Sequence, residues 1–374
     1  MKIAMIGHKR VPSREGGVEI VVEEISTRMV KLGHHVDVYN RYYKRVKTRK
    51  SYKGIRIITI PTINKKSLDA VVYSFLATIE ALFRKYDVIH YHAEGSCAML
   101  WIPHLFHIRT VATIHGLDWK RAKWGGFATI YLKFGEKIAA KYADEVIVLS
   151  KSVQQYFWDT YGRDTQYIPN GVNILGGKEA DIITKKYDLT KDNYILFLAR
   201  LVPEKGLHYL LEAFKNMDTD KKLVIAGTSS HSNDYVKRIK KMAKNDERVI
   251  MTGFVQGKEL EELYSNCYLY VLPSDVEGMP LSLLEALSYG CCCLVSDIEE
   301  NCEVAKNYAT TFKHGNVMDL EKQLVEILCS TKNHDSKLEF EYVKEYFGWN
   351  NAVENTLKLY VENKYEYKQF GKPL

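Results

Sequence analysis

The chain contains no apolar run approaching the roughly eighteen residues that a membrane-spanning helix requires. An integral helical membrane protein is therefore not expected. Paired C-x2-C motifs are missing as well: the seven cysteines are an odd number, and three of them form the run Cys291-Cys292-Cys293 ahead of Leu294-Val295. That argues against a disulfide framework and against zinc, and the run reads as reduced, small apolar residues at the start of a strand. No short-period repeat and no low-complexity linker interrupt the sequence. It opens with Lys2-Ile-Ala-Met-Ile-Gly7, a strand pattern, so no signal peptide is expected ahead of the fold and the expected location is cytoplasmic.

What is present is a chain of 374 residues, too long for one ordinary core and suited to two domains. The net charge of +7 conceals an asymmetry: residues 1–172 carry 27 Lys+Arg against 15 Asp+Glu, and the remainder 26 against 31. Much of the excess lies between Arg41 and Lys53, where cations alternate with tyrosines. Such a segment suits anionic lipid headgroups, or nucleic acid, or is a solvated loop.

Apolar runs alternate with helical patterns twice over, which predicts two doubly wound α/β domains. In the first, Ile3 to Ile6, Val36 to Tyr39, Ile55 to Ile60, Val88 to Tyr91, Thr110 to Ile114 and Glu145 to Leu149 read as strands, with helices at Glu19 to Leu32 and Ser67 to Phe83. In the second, strands are expected at Tyr194 to Leu198, Lys222 to Ala226, Val249 to Thr252, Leu269 to Leu272 and Cys292 to Ser296. Its helices are expected near Gly206 to Phe214, Asp234 to Lys244, Lys258 to Ser265 and Leu281 to Ser288. Their connection falls between Asn170 and Lys191, and Trp349 to Tyr367 reads as a polar, Tyr-rich helix. Ligands of open α/β sheets lie beyond the carboxyl ends of the strands, so two such domains facing each other would form a cleft. Gly7, His92, His115, Arg200, Gly227, Gly253 and Pro273 all follow apolar runs and are directed to such ends.

Two motifs carry chemistry. Glu277-Gly-Met-Pro-Leu-Ser-Leu-Leu-Glu285 sets two carboxylates across a turn and the first turns of a helix, whose N-terminus would attract phosphate. In isolation the pair also fits a buried helix with two incidental acids. Upstream, Ala199-Arg200-Leu-Val-Pro-Glu-Lys205-Gly206 follows a strand and delivers two cations, a planar fork and a point charge, which together suit a diphosphate.

The ARLVPEKG and EGMPLSLLEAL segments, IPNGV at Ile168 to Val172 and GGVE at Gly16 to Glu19 together resemble the retaining glycosyltransferases of family 4. The likeness runs from the first strand to the EGMP helix and becomes vague after about Asn307. It implies GT-B architecture: a Rossmann-like acceptor-binding domain at 1–172, a Rossmann-like nucleotide-sugar-binding domain at 173–348, and a terminal helix within 349–374 returning to the first. HKRVPSREGGVE and TIHGLDWKRAKWGGFA resemble a narrower bacterial subgroup that builds cell-surface polysaccharides, some of its members rhamnosyltransferases.

Several roles follow from the resemblance. Arg200, Lys205 and the amides of Gly16, Gly17 and the turn Gly278-Met279-Pro280-Leu281 serve the diphosphate, Glu277 the transferred sugar, and Glu285 the ribose. Phe254 and Val255 offer the base only backbone contacts, which leaves a dTDP-, UDP- or GDP-linked donor open. His115 is placed in the active site with Arg200, Lys205 and Glu277. Glu19, His92 and Asp118 fall to the acceptor, a saccharide expected to be lipid-diphosphate-linked, and Asp118 equally suits a helix cap. His90 and His92 flank Tyr91 on one face of a strand and read as cleft lining rather than zinc ligands. The Asp218-Thr-Asp220 D-x-D reads as a surface turn. Neither a metal nor a cofactor beyond the nucleotide sugar is expected, nor nucleic acid as a partner, while an anionic membrane surface is expected to meet the basic first domain. The rival readings are a sugar-nucleotide epimerase of the same architecture, and a non-catalytic lipid- or nucleic-acid-binding protein built on the Arg41 to Lys53 segment.

Overall fold

The computed structural model describes the chain except for residues 45, 64–67, 121–125, 230–232, 331–335 and 362–374, and for the side chain of residue 336. Two compact units emerge: residues 1–171 joined by 349–361, and residues 172–348.

The first unit is built on eight strands: β1 (Lys2–Ile6), β2 (His35–Arg41), β3 (Ser51–Tyr52), β4 (Ile55–Ile60), β5 (Val88–His92), β6 (Arg109–Ile114), β7 (Glu145–Val148) and β8 (Gln166–Tyr167). They lie in the order β3-β4-β2-β1-β5-β6-β7-β8, parallel throughout except for β3 against β4. Central strands read as continuous apolar runs because both faces are covered, and Ala4, Ile6, Ile89, Tyr91, Ala112 and Ile114 sit in one buried cluster. The helix Gly17–Lys31 begins two residues before the expected Glu19, and the next spans Asp69–Leu82, the expected start at Ser67 lying outside the described residues. The Trp349–Leu359 helix belongs to this unit. The Arg28 guanidinium lies over the Trp349 ring, Arg109 Nε donates to the Leu359 carbonyl at 2.9 Å, and the Tyr360 hydroxyl meets His90 Nδ1 at 2.6 Å. Of the helix expected to run to Tyr367, residues 362–367 lie outside the described residues.

The second unit holds β9 (Tyr194–Leu198), β10 (Lys222–Ala226), β11 (Val249–Gly253), β12 (Leu269–Leu272), β13 (Cys293–Ser296) and β14 (Thr310–Phe312), all parallel, in the order β11-β10-β9-β12-β13-β14. Its core gathers Ile195, Phe197, Leu223, Ile225, Val271 and Leu294 against Leu210, Phe214 and Leu320 from the helices. Both sheets reverse direction of growth beside their first strand, between β1 and β5 and between β9 and β12. Loops leaving adjacent strands there diverge to opposite faces, which opens a crevice at the carboxyl ends.

Candidate functional site

In the second unit the crevice is set by backbone fit. The loop after β9 runs through Arg200 and a single 3-10 turn, Pro203–Lys205, into Gly206, whose φ of +65° is left-handed. A Cβ at Gly206 would lie 1.8 Å from the Pro273 carbonyl oxygen, so only glycine lets this loop rest on the end of β12. The Asp275 N–H donates to the Glu204 carbonyl at 2.9 Å and completes the junction. Lys205 is thereby delivered to Glu277: its ammonium pairs with Oε1, which also accepts from the Ser274 hydroxyl at 2.7 Å. Glu277 is only 7 % exposed, and its Oε2 has no hydrogen-bond partner among the described residues. Arg200 is half-buried and makes no ion pair among them.

Gly278, Met279 and Pro280 are buried and lead into the Leu281–Ser288 helix, which has no side-chain cap. Leu283 and Leu284 return their N–H groups to the Pro280 carbonyl at 3.0 and 3.2 Å, which leaves the first two amides of the helix to an outside acceptor. Glu285, one turn further on, accepts at Oε2 from the Tyr264 hydroxyl at 3.0 Å, while Tyr270 donates to Ser282 Oγ at 2.8 Å. Burial holds both phenols well above their ordinary range, and for Tyr264 the neighbouring Glu285 charge adds to it, so both remain O–H donors. Half-exposed Phe254 and buried Val255 follow β11, two strands away from Arg200, and the Asp218-Thr219-Asp220 segment is a turn with both carboxylates exposed.

The first unit repeats the backbone device with different chemistry above it. Gly7, at φ +124°, ends β1 so close to β5 that a Cβ would lie 2.0 Å from the His92 carbonyl oxygen. Around it gather four histidines. His92 Nδ1 lies 3.1 Å from His115 Nε2, the His90 ring stacks on His92 with centroids 4.2 Å apart, and His90 Nε2 meets Thr113 Oγ1 at 2.7 Å. Thus His90 and His92 do share a face, and they are fully buried. His8 was missed in the sequence. Its Nε2 lies 3.0 Å from Asn40 Oδ1, which also accepts from the Val11 N–H, so the imidazole must be the donor. Burial pushes His8 down to about 4 and His90 to about 3, and takes His92 well below its usual range. All three are neutral at pH 7. The buried nitrogens His8 Nδ1 and His92 Nε2 have no partner among the described residues. After His92 the chain passes through Ala93 at φ +69°, a sparsely populated conformation for a residue with a Cβ.

Gly16 and Gly17 open the Gly17–Lys31 helix without a side-chain cap. Buried Glu19 turns back to accept the Lys9 N–H at 2.9 Å and braces the loop after β1. Asp118 starts a 3-10 turn whose N–H donates to Glu94 Oε2 at 3.1 Å; Glu94 is wholly buried, and nothing in its sequence setting signals that. Arg41 at the start of the basic segment turns inward and pairs with Asp69 at 2.7 Å, and the exposed Lys53 at its end pairs with Glu23 at 3.3 Å, while Arg45 lies outside the described residues. A cavity of about 290 Å³ beyond β2 and β4 is lined by Arg10, Asn40, Arg41, Lys47, Arg49 and Thr59 among others, with four cations and no carboxylate among the described residues of its walls. No group of three His, Cys, Asp or Glu among the described residues is placed to hold a metal ion.

Residues 15–174 match Glycosyltransferase Family 4, and residues 179–339 match the family described as glycosyl transferases group 1. An uncharacterized glycosyltransferase of Methanocaldococcus jannaschii is 26% identical over all of this chain and 96% of its own length. The UDP-Gal:alpha-D-GlcNAc-diphosphoundecaprenol alpha-1,3-galactosyltransferase of Escherichia coli is 27% identical over 68% of this chain and 69% of its own. Among solved structures, Anabaena HepE in complex with UDP and glucose aligns with a TM-score of 0.81 at 18% identity, covering 96% of this chain and 98% of the other. Two family matches that meet near the boundary of the two units, on a pair of doubly wound sheets, identify the chain as a glycosyltransferase of GT-B architecture, family 4-like.

Proposed function

We propose that the protein is a retaining hexosyltransferase. It moves a sugar from a nucleotide-diphosphate sugar to a lipid-diphosphate-linked saccharide in cell-surface polysaccharide assembly. The observation that carries the donor half is the Lys205–Glu277 pair beside Arg200 and the uncapped Leu281–Ser288 helix, at the strand-order reversal of the second unit. In the reaction the bond from the anomeric carbon to the diphosphate breaks, a bond to an acceptor oxygen forms, and the acceptor proton passes to the leaving phosphate. Negative charge grows on the diphosphate, where Arg200, Lys205 and the helix amides stabilise it. Glu277 orients Lys205 through Oε1 and keeps Oε2 for a sugar hydroxyl, while Glu285, steadied by Tyr264, takes the ribose.

The cationic cavity of the first unit supports an acceptor that carries phosphate, and the His92–His115 pair supports recognition of sugar hydroxyls. The Escherichia coli relative, named for a diphosphoundecaprenol-linked sugar, and the UDP in the Anabaena structure support the same reading. Rhamnose is the sugar to test first, and the cations on the donor side make a metal unnecessary.

Thermal stabilisation by dTDP, UDP, GDP and their sugars, with and without chelator, tests the proposal. One nucleotide should raise the melting temperature regardless of chelator, and Lys205→Ala should abolish the shift. No shift with any nucleotide sinks the donor assignment.

A further inference from the structure

The first unit carries a broad apolar face that the transfer chemistry does not use. The Asp69–Leu82 helix buries Tyr73, Ala77 and Ala81, yet it also turns Phe75 and Leu76 outward and ends at Phe83, which is 82 % exposed. The Gly126–Tyr142 helix exposes Phe127, Ile130 and Phe134 at i, i+3 and i+7, a single stripe, with Phe127 65 % and Ile130 69 % exposed. Between them the short Trp101–Leu105 helix packs against both and adds Trp101, Leu105 and Phe106, all exposed. Scattered exposed apolar residues need no explanation, but stripes on three neighbouring helices do.

Charge says what covers the face. The exposed charges of the Gly126–Tyr142 helix are Lys133, Lys137 and Lys141, and its one carboxylate, Glu136, is fully buried, accepting from Trp119, Tyr156 and Tyr161. On the Asp69–Leu82 helix, Asp69 is paired with Arg41 and Glu80 with Arg84, while Lys85 stands exposed beside Phe83. Asp87 and Asp144 are exposed near Lys85 and Lys141 and accept from the Lys2 N–H and from Thr110. Aromatic and aliphatic side chains flanked by exposed lysines that outnumber these acids form the pattern of a surface lying in the headgroup layer of an anionic bilayer. There the apolar side chains enter the acyl boundary and the ammonium groups reach phosphates. A second copy packed on the same face would set lysines against lysines. No helix among the described residues is long and apolar enough to span a membrane.

We propose that the outer face of these three helices docks the protein on an anionic membrane, and that the Arg41 to Lys53 segment is not the principal contact. The inference stands independently of the donor chemistry. Co-sedimentation of the full chain with phosphatidylcholine vesicles, with and without phosphatidylglycerol, tests it. Wild type should bind the phosphatidylglycerol vesicles, and Phe127→Ser/Ile130→Ser should weaken that binding by at least about tenfold with an unchanged melting temperature. Lys133→Gln/Lys137→Gln should weaken it only where phosphatidylglycerol is present, and Lys47→Ala/Lys50→Ala should leave it nearly intact. Absence of wild-type binding overturns the proposal. So does loss of binding in Lys47→Ala/Lys50→Ala but not in Phe127→Ser/Ile130→Ser, or a wild-type dimer that the apolar variant dissociates. Vesicle binding of this pattern without any nucleotide-induced stabilisation leaves the proposal standing and removes the donor reading instead.

Discussion

The two units use one backbone plan and opposite electrostatics. In each, a glycine with positive φ lets the loop after the first strand lie on the end of the neighbouring strand, Gly7 over His92 and Gly206 over Pro273. Above the first junction sit neutral, fully buried imidazoles; above the second sits an ion pair with its edge open to solvent. Neutral donors and acceptors can sort hydroxyl groups, whereas fixed charge is needed where charge develops. The same fold is thus specialised by which side chains follow the strands, not by the strands themselves.

Acid should separate the units most strongly. An unfolded imidazole titrates near pH 6.5, while His8 and His90 are held down to about 4 and about 3 in the fold, with His92 also lowered. Between those values the unfolded chain binds the protons, so stability is complete above about pH 6.5 and falls as pH drops. The loss approaches about 1.4 kcal/mol per pH unit per histidine. Hydrogen exchange should therefore show β1, β5 and β6 losing protection at pH 5 while β9 and β12 keep theirs. Equal loss in both units would break the contrast.

A smaller effect probes the charged side. Lys205→Ala leaves Glu277 buried with only the Ser274 hydroxyl, at a cost of about 3 kcal/mol. Adding Glu277→Ala should recover part of it in urea denaturation, because the two changes share one interaction. Strict additivity would show the pair to be unimportant to the fold. The smallest effect belongs to Tyr264→Phe, which removes one hydrogen bond to Glu285 for about 1 kcal/mol and should weaken nucleotide binding without abolishing it. Calorimetry that finds affinity unchanged would detach Tyr264 from the ribose site.

Much of this was readable in advance, for a physical reason. Strands buried on both faces are unbroken apolar runs, so β1, β9 and β12 stand out, and the Leu281–Ser288 helix begins and ends where Pro280 and the apolar pattern place it. The two- and three-residue edge strands β3, β8 and β14 carry too little pattern to be seen. Lys205, Glu277, His92 and His115 were each legible as candidates because they follow apolar runs, but that Lys205 pairs with Glu277 and His92 with His115 was not. His8 follows Gly7 in the same way and could have been found by that rule. Glu94 and Glu136 could not, since acids are ordinarily exposed and these are held inside by donors from distant parts of the chain.

The return of residues 349–361 to the first unit has a consequence for the order in which the protein is made. Tyr360 completes the hydrogen bonding of His90, and Trp349 lies against Gly171. The first unit therefore lacks a helix and a buried partner until residues 172–348 have been made, whereas the second unit is one uninterrupted stretch. Domains tend to fold as their residues emerge. Here the unit begun first is the one finished last, and the donor half can be complete while the half bearing the apolar face still waits for its final helix.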